Sequence, residues 1–261
     1  MKKYAECPSV SFKYATGSVD IFERMFHDCY EIYFLLGGKV EFINDRTRQT
    51  LVPHQVVIVP PGEYHQFVVL QDDDAYERCV LNIDPAFFED GILDSALKDK
   101  TVLTLAQNHR VIQNFLHLAA SISDVDDSDF ARILPAVTTD IVFAIKNDVD
   151  THEISPEKLC RFSGELMEYI NKNFTSALDL ESLSKRFHRS VSSLCHVFKE
   201  SFGVSIKKYV LEKRLNNARS LLRRGENAEY ACTACGFSDY SSFYRAYKKR
   251  FGAAPSDSIK Q

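Results

Sequence analysis

The apolar residues of this chain change their period part-way along it, and that change limits the folds open to it. Between residues 29 and 83 they fall in short β-prone runs: CYEIYFLL (29–36), KVEFI (39–43), QVVIV (55–59), HQFVVL (65–70) and YERCVLNI (76–83). Turn signals divide them at Gly37-Gly38, Pro60-Pro61-Gly62 and Asp72-Asp73-Asp74. From about residue 101 the spacing becomes helical, in VIQNFLHLAASI (111–122) and ARILPAVTTDIVFAIKN (131–147), with DVDDSD (124–129) as a charged loop between them. Pro135 is expected in a first turn or at a kink. The polar stretch 148–158 has no apolar period and reads as a linker. Many short strands with regular turns predict a sandwich or barrel, and 261 residues suffice for two domains with separate cores.

Charge divides the chain in the same way. Residues 160–261 carry 18 Lys and Arg against 10 Asp and Glu, while the rest carries 14 against 26, within a net charge of −4. A basic C-terminal third on an acidic body predicts that only this third meets a polyanion. The seven cysteines are odd in number and scattered, as suits free thiols in a reducing compartment. Met1-Lys2-Lys3 is followed by no apolar segment of signal type, and no run is long enough to cross a membrane. A cytoplasmic protein is therefore expected.

The basic third reads as a series of short helices. ELMEYINKNF (165–174) is followed by LESLSKRF (180–187), capped by Asp179, and VSSLCHVFKES (191–201), capped by Ser190. A long helix over 205–224 ends at Gly225. Asn227 then caps 228–235, and Ser238 is expected to cap 239–251. A short helix, a tight turn and a second helix thus occur twice, the helix-turn-helix pattern. In 239–251, Phe243, Tyr247 and Phe251 face inward and Tyr240, Ser241, Tyr244, Arg245 and Lys248 outward. In 191–201, Leu194, Val197 and Phe198 face inward and Ser192, Ser193, Cys195, His196 and Lys199 outward. With the caps Ser190 and Ser238, these outward residues are the candidate DNA contacts. Arg reads guanine bidentately, Ser reads base edges loosely, and Lys and Tyr reach phosphates. One charged helix face is usually just solvated; two such units with a local charge of +8 favour DNA.

Residues 165–256 resemble the DNA-binding domain of AraC/XylS-type transcription regulators. The resemblance rests on Gly236-Phe237-Ser238-Asp239, Phe243, Arg245, Lys248-Lys249, Gly252 and Pro255. In the first unit it rests on Leu183, Ser190, Leu194, Phe198-Lys199, Gly203, Tyr209, Arg214, Ala218 and Leu221-Leu222. It implies two helix-turn-helix units joined by one long helix, reading one face of the duplex. Ala228, Ala231 and Cys235 are smaller than is usual in that family, His188 stands where Gly is common, and SIKQ replaces a C-terminal Arg; a looser second unit is the expectation. Cys232-Thr233-Ala234-Cys235 has no partner pair at zinc-finger spacing, so packing is favoured over a thiol switch.

Residues 12–85 resemble the cupin-like effector domain that precedes this module, through His27, Tyr30-Glu31, Gly37-Gly38, Pro60-Pro61-Gly62 and His65. The expected fold class is α+β with two domains: a cupin-like β-barrel over 1–100, a helical dimerisation segment over 101–147, a linker over 148–160, and an all-α double helix-turn-helix domain over 161–261. His27, Glu31, Tyr33, His65 and Arg78 are the candidate ligand contacts, and strand phase leaves open which face of 29–36 is inward. Met25 stands where a metal-binding cupin has its first His, so no metal and no cofactor are expected. The resemblance implies a ligand-responsive regulator, usually an activator, with a small effector such as a carbohydrate. Its partners would be promoter DNA, a second copy of the chain and RNA polymerase. Two alternatives are a constitutive DNA-binding protein with a non-sensing barrel and a metal-dependent cupin enzyme. No nucleophile–base constellation or phosphate loop supports an enzyme.

Overall fold

A computed structural model describes residues 2–17, 26–45, 47–70, 76–88, 91–97, 100–148, 157–158 and 161–259. The chain forms two compact units, residues 1–43 with 47–157 and residues 44–46 with 158–261.

The strands lie almost entirely in the first unit. They are β1 (Lys2–Cys7), β2 (Val10–Thr16), β3 (Tyr30–Gly37), β4 (Val40–Asn44), β5 (Thr47–Leu51), β6 (Gln55–Val59), β7 (His65–Val69), β8 (Glu77–Ile83), β9 (Val102–Thr104) and β10 (Glu157–Lys158). Among the described residues the strands do not close into the expected barrel. The described strands sort into a six-stranded sheet, ordered β1-β2-β8-β3-β6-β9, and a four-stranded sheet, ordered β10-β5-β4-β7. Gly37-Gly38 marks the division: β3 pairs with β6 and β8, and β4 pairs with β5 in the other sheet. Gly38 has φ +87°, and a Cβ there would lie 3.0 Å from Tyr76 Cα, so the crossing requires glycine.

Both faces of the larger sheet are covered, which is why CYEIYFLL and QVVIV show no polar alternation. Tyr30, Ile32, Phe34, Val56, Ile58, Cys79 and Leu81 pack in one cluster with residues of α1 (Ile92–Leu97), α2 (Arg110–Asp124) and α3 (Asp127–Asp148). Tyr33, Leu35, Val57 and Val59 form another with Val40, Phe42, Leu51 and Phe67 of the smaller sheet. The charged loop expected at 124–129 shrinks because Asp126 Oδ1 accepts the N–H groups of Ser128 and Asp129, capping α3 early. Pro135 consequently stands inside α3 rather than in its first turn. The expected linker at 148–158 falls mostly outside the described residues.

The second unit is helical: α4 (Arg161–Asn173), α5 (Leu180–Phe187), α6 (Val191–Phe202), α7 (Ile206–Arg223), α8 (Ala228–Ala234) and α9 (Tyr240–Phe251). The caps at Asp179, Ser190 and Asn227 form as read from the sequence, each side chain accepting a backbone N–H of the first turn. The cap of α9 is Asp239 instead of Ser238; its carboxylate accepts Ser242 N–H at 2.7 Å. His188 adopts φ +51° between α5 and α6, the left-handed conformation that favours glycine.

Candidate DNA interface and ligand site

The second helix of each helix-turn-helix unit has one buried edge. Leu194 and Phe198 of α6 are fully buried, and Phe198 meets Phe202 and Tyr209 at ring separations of 4.8 and 5.6 Å. Phe243 and Tyr247 of α9 are fully buried with Leu215, Ala218, Leu222, Ala231 and Cys235. Rings from Phe237 through Phe243 and Tyr247 to Phe251 form a continuous chain of tilted and edge-on contacts, with centroid separations of 5.0, 5.5 and 4.6 Å. The small side chains at 231 and 235 therefore lie under aromatic cover. Burying one such ring stabilises by about 1.5–3 kcal/mol, so the orientation of each helix is fixed by its apolar edge.

That edge decides what the other side presents. Ser192, His196 and Lys199 are exposed on α6, and Ser241, Arg245 and Lys248 are exposed on α9. Both sets run i, i+4, i+7, so each helix carries one stripe of hydroxyl, planar nitrogen group and ammonium. Ser190, Ser238 and Tyr240 are exposed at the helix starts, while Ser193, Cys195 and Tyr244 are half-buried at the flanks. Ser190 Oγ is engaged with Ser193 N–H, and Arg245 donates to Ser242 Oγ at 3.3 Å. α7, at 18 residues, spans roughly 27 Å, against about 34 Å between successive major grooves.

Arg214, prominent in the family resemblance, does not point outward. It donates to the carbonyls of Phe174 and Ser176 at 2.6 and 2.7 Å, bracing the turn after α4. Cys232 and Cys235 are both buried. Burial pushes the Cys235 thiol up to about 11 and raises that of Cys232, as suits packing residues.

In the first unit, Glu31 and Tyr33 lie on β3 and Arg78 on β8 of the larger sheet, His65 begins β7 of the smaller sheet, and His27 precedes β3. Register places Glu31 opposite Asn82 and Val59, Tyr33 opposite Val80 and Val57, and Leu35 opposite Arg78. Glu31, Tyr33, His65 and Arg78 are all buried, and His27 is nearly so. They form two groups. His27 Nε2 lies 3.2 Å from Glu31 Oε2, and His65 Nε2 lies 3.5 Å from Glu31 Oε1. Tyr33 shares a 3.1 Å hydroxyl contact with Tyr76 and stacks on Phe67, and the Arg78 guanidinium lies 4.6 Å from the Tyr76 ring centroid. Tyr76 was not among the sequence candidates, although its i, i+2 relation to Arg78 puts both on one strand face.

Burial works against every charge here. It opposes ionisation of Glu31, but the nearby ring nitrogens of His27 and His65 outweigh it and hold the carboxyl well below its usual range. Burial also disfavours the His27 cation, yet the Cys29 carbonyl and Glu31 carboxylate raise its pKa well above the ordinary value. Burial, then Tyr76, pushes the Tyr33 hydroxyl far up, and Tyr76 rises to about 12 for the same first reason.

A sheet-rich unit with a buried polar interior and a helical unit with two helix-turn-helix repeats define the class of this protein. Residues 8–135 match the AraC-like ligand binding domain, and residues 183–261 match a helix-turn-helix domain. The chain belongs to the AraC family. The HTH-type transcriptional activator RhaS of Mannheimia succiniciproducens is 22% identical over 249 residues, covering 90% of this chain and 88% of that protein. The XylDLEGF operon transcriptional activator of Pseudomonas putida is 19% identical over 258 residues, covering 94% and 79%. An uncharacterised HTH-type transcriptional regulator of Escherichia coli, YdiP, is 30% identical over 98 residues, covering 37% and 32%. This chain spans about a third of the length of such higher-identity relatives. Among solved structures, ToxT from Vibrio cholerae O395 is 14% identical with a TM-score of 0.40, covering 97% of this chain and 98% of that one. No helix among the described residues is long and apolar enough to cross a membrane.

Proposed function

We propose that this protein is a ligand-responsive, DNA-binding regulator of transcription. The observation that carries the reading is the repeated stripe: Ser192, His196 and Lys199 on α6, and Ser241, Arg245 and Lys248 on α9, each backed by a buried apolar edge. The two helices enter successive major grooves of one duplex face. Arg245 reads guanine, the serines and His196 read or flank base edges, and Lys199 and Lys248 engage phosphates. Ser190, Ser193, Cys195, Ser238, Tyr240 and Tyr244 line the edges of these contacts.

The sheet-rich unit is the sensor, with His27, Glu31, Tyr33, His65 and Arg78 as the polar groups that meet a small effector. A carbohydrate is the first class to test, on the strength of the family resemblance, and activation of transcription accords with the names of the RhaS-like and XylDLEGF relatives. The proposed division is a sensor over 1–100, a pairing segment over 101–147, a linker over 148–160 and the DNA-binding domain over 161–261. α2 uses one face to cover the sheet and leaves Leu116 exposed on the other, which supports pairing of two copies. Pairing raises the effective concentration of each DNA-binding domain. An effector controls the protein only by binding one of its states better than another.

The test is selection of bound fragments from the source genome, followed by titration of the selected site with and without a panel of sugars and other small metabolites. A specific site bound about 10³-fold or more tighter than random DNA, with an affinity that one metabolite changes, supports the reading. Equal affinity for selected and random DNA overturns it. Specific binding that no metabolite alters favours the constitutive alternative.

A further inference from the structure

Three buried donor atoms in the first unit converge without satisfying one another. His27 Nε2, Glu31 Oε1 and His65 Nε2 are buried and have no aligned hydrogen-bond partner. The donor atoms of these three residues nevertheless all lie within 4.8 Å of one another. Buried polar atoms in native proteins are almost always hydrogen-bonded, so three orphans this close together call for a shared partner.

The second nitrogen of each ring fixes the sense of the first. His27 Nδ1 lies 3.2 Å from the Cys29 carbonyl, and His65 Nδ1 lies 3.2 Å from the Glu63 carbonyl. A carbonyl only accepts, so each Nδ1 carries a proton, and Nε2 is the nitrogen that each ring turns toward Glu31; an ion bound there takes the Nε2 lone pair and displaces any proton on it. Backbone carbonyls orient metal-ligating histidines in this manner.

We propose that His27, Glu31 and His65 form a binding site for one divalent first-row transition-metal ion of the zinc class. Two imidazoles and one carboxylate are borderline donors, suited to zinc, iron, cobalt or nickel and poor for magnesium or calcium. Tetrahedral bonds of 2.0–2.2 Å separate donors by about 3.4 Å, and each ring nitrogen lies near that separation from one oxygen of the Glu31 carboxylate, His27 Nε2 at 3.2 Å from Oε2 and His65 Nε2 at 3.5 Å from Oε1. Three protein donors leave a coordination position for a water molecule or an effector oxygen. Met25, at the position of the first His of a metal-binding cupin, argues against a four-ligand centre; it lies outside the described residues, and a three-donor open site needs no such ligand. The link between ion and effector rests on reading this unit as a sensor; the binding of the ion does not.

The test uses the full-length protein, stripped with chelator and titrated with Zn2+ by calorimetry and with Co2+ by visible absorption, without DNA or metabolite. One tight equivalent is expected, with Co2+ ligand-field bands and no thiolate charge-transfer band. Loss of a supporting group around a metal weakens binding 10–100-fold, so Glu31→Gln, which loses a direct donor, is expected to lose at least that factor. X-ray absorption of the Zn2+-loaded wild type removes any dependence on the folding of a variant: two imidazoles with oxygen and no sulfur support the site. Absence of binding at millimolar Zn2+, sulfur ligation, or undiminished binding by Glu31→Gln would overturn it. Because DNA binding and metabolite response are read in a separate assay, failure here leaves the sensor reading standing.

Discussion

A Cβ on Gly236 would stand 2.2 Å from the carbonyl oxygen of Thr175. Gly236 follows α8 in the second helix-turn-helix unit, and Thr175 follows α4 beside the first. The same turn is held by Arg214, which grips the carbonyls on either side of Thr175. The two units are thus joined by backbone contact as well as by α7, and the glycine of the Gly236-Phe237-Ser238-Asp239 stretch is there because nothing larger fits.

Gly236→Ala is expected to destabilise the protein by about 2–5 kcal/mol. The left-handed φ of +82° costs about 1–2 kcal/mol for a residue with a Cβ, and forced overlap in packed surroundings costs about 1–3 kcal/mol. Urea unfolding followed by circular dichroism measures it. A loss under 1 kcal/mol would show that the Thr175 turn yields freely.

Arg245→Ala is expected to cost about 1–3 kcal/mol on the selected site and much less on random DNA, because a bidentate contact to guanine discriminates between bases. Lys248→Ala should weaken all sequences alike and reduce the salt slope by about 1. An Arg245 variant that loses equally on both DNAs makes Arg245 a phosphate contact. An unchanged slope removes Lys248 from the phosphate set.

The His27–Glu31 pair gives the metal-free protein a stability optimum on the acid side of neutrality. Glu31 is held below its ordinary 4.5, so its contribution is present above that value and lost as pH falls through the folded one. His27 is held above its ordinary 6.5, so its contribution is full below 6.5 and lost as pH rises through the folded value. With chelator present, the stability gap between wild type and His27→Gln should be widest between these values and narrower at pH 9. A gap independent of pH would contradict the pairing.

Cys232 and Cys235 should resist alkylation in the native protein and react only on unfolding, since burial keeps both thiols protonated. Mass spectrometry after brief iodoacetamide treatment reads this directly. Rapid native labelling of either thiol would revive the redox reading of Cys-x-x-Cys.

His188→Gly should leave stability unchanged or raise it by up to about 1 kcal/mol, because glycine relieves the left-handed strain and gives back part of that gain in unfolded-chain entropy. A clear loss in thermal unfolding would mean that the imidazole makes contacts that outweigh the strain.

The amino-acid order by itself determined the helical domain. Caps such as Asp179, Ser190 and Asn227 act over three residues, and the inward spacing of Leu194 with Phe198 and of Phe243 with Tyr247 is a local period, so both could be read without coordinates. The shift of the last cap from Ser238 to Asp239 was not legible, because either side chain can accept the first-turn N–H groups. The tertiary structure alone decided the sheet-rich unit. Strands buried on both faces carry no alternation, so the sequence could not say that Glu31 and Tyr33 face the smaller sheet, nor that β3 and β4 part at Gly38 rather than pair. It could nominate His27, Glu31 and His65 one by one; only the packing of the two sheets, a non-local contact with no local signature, brings their donor atoms within 4.8 Å of one another.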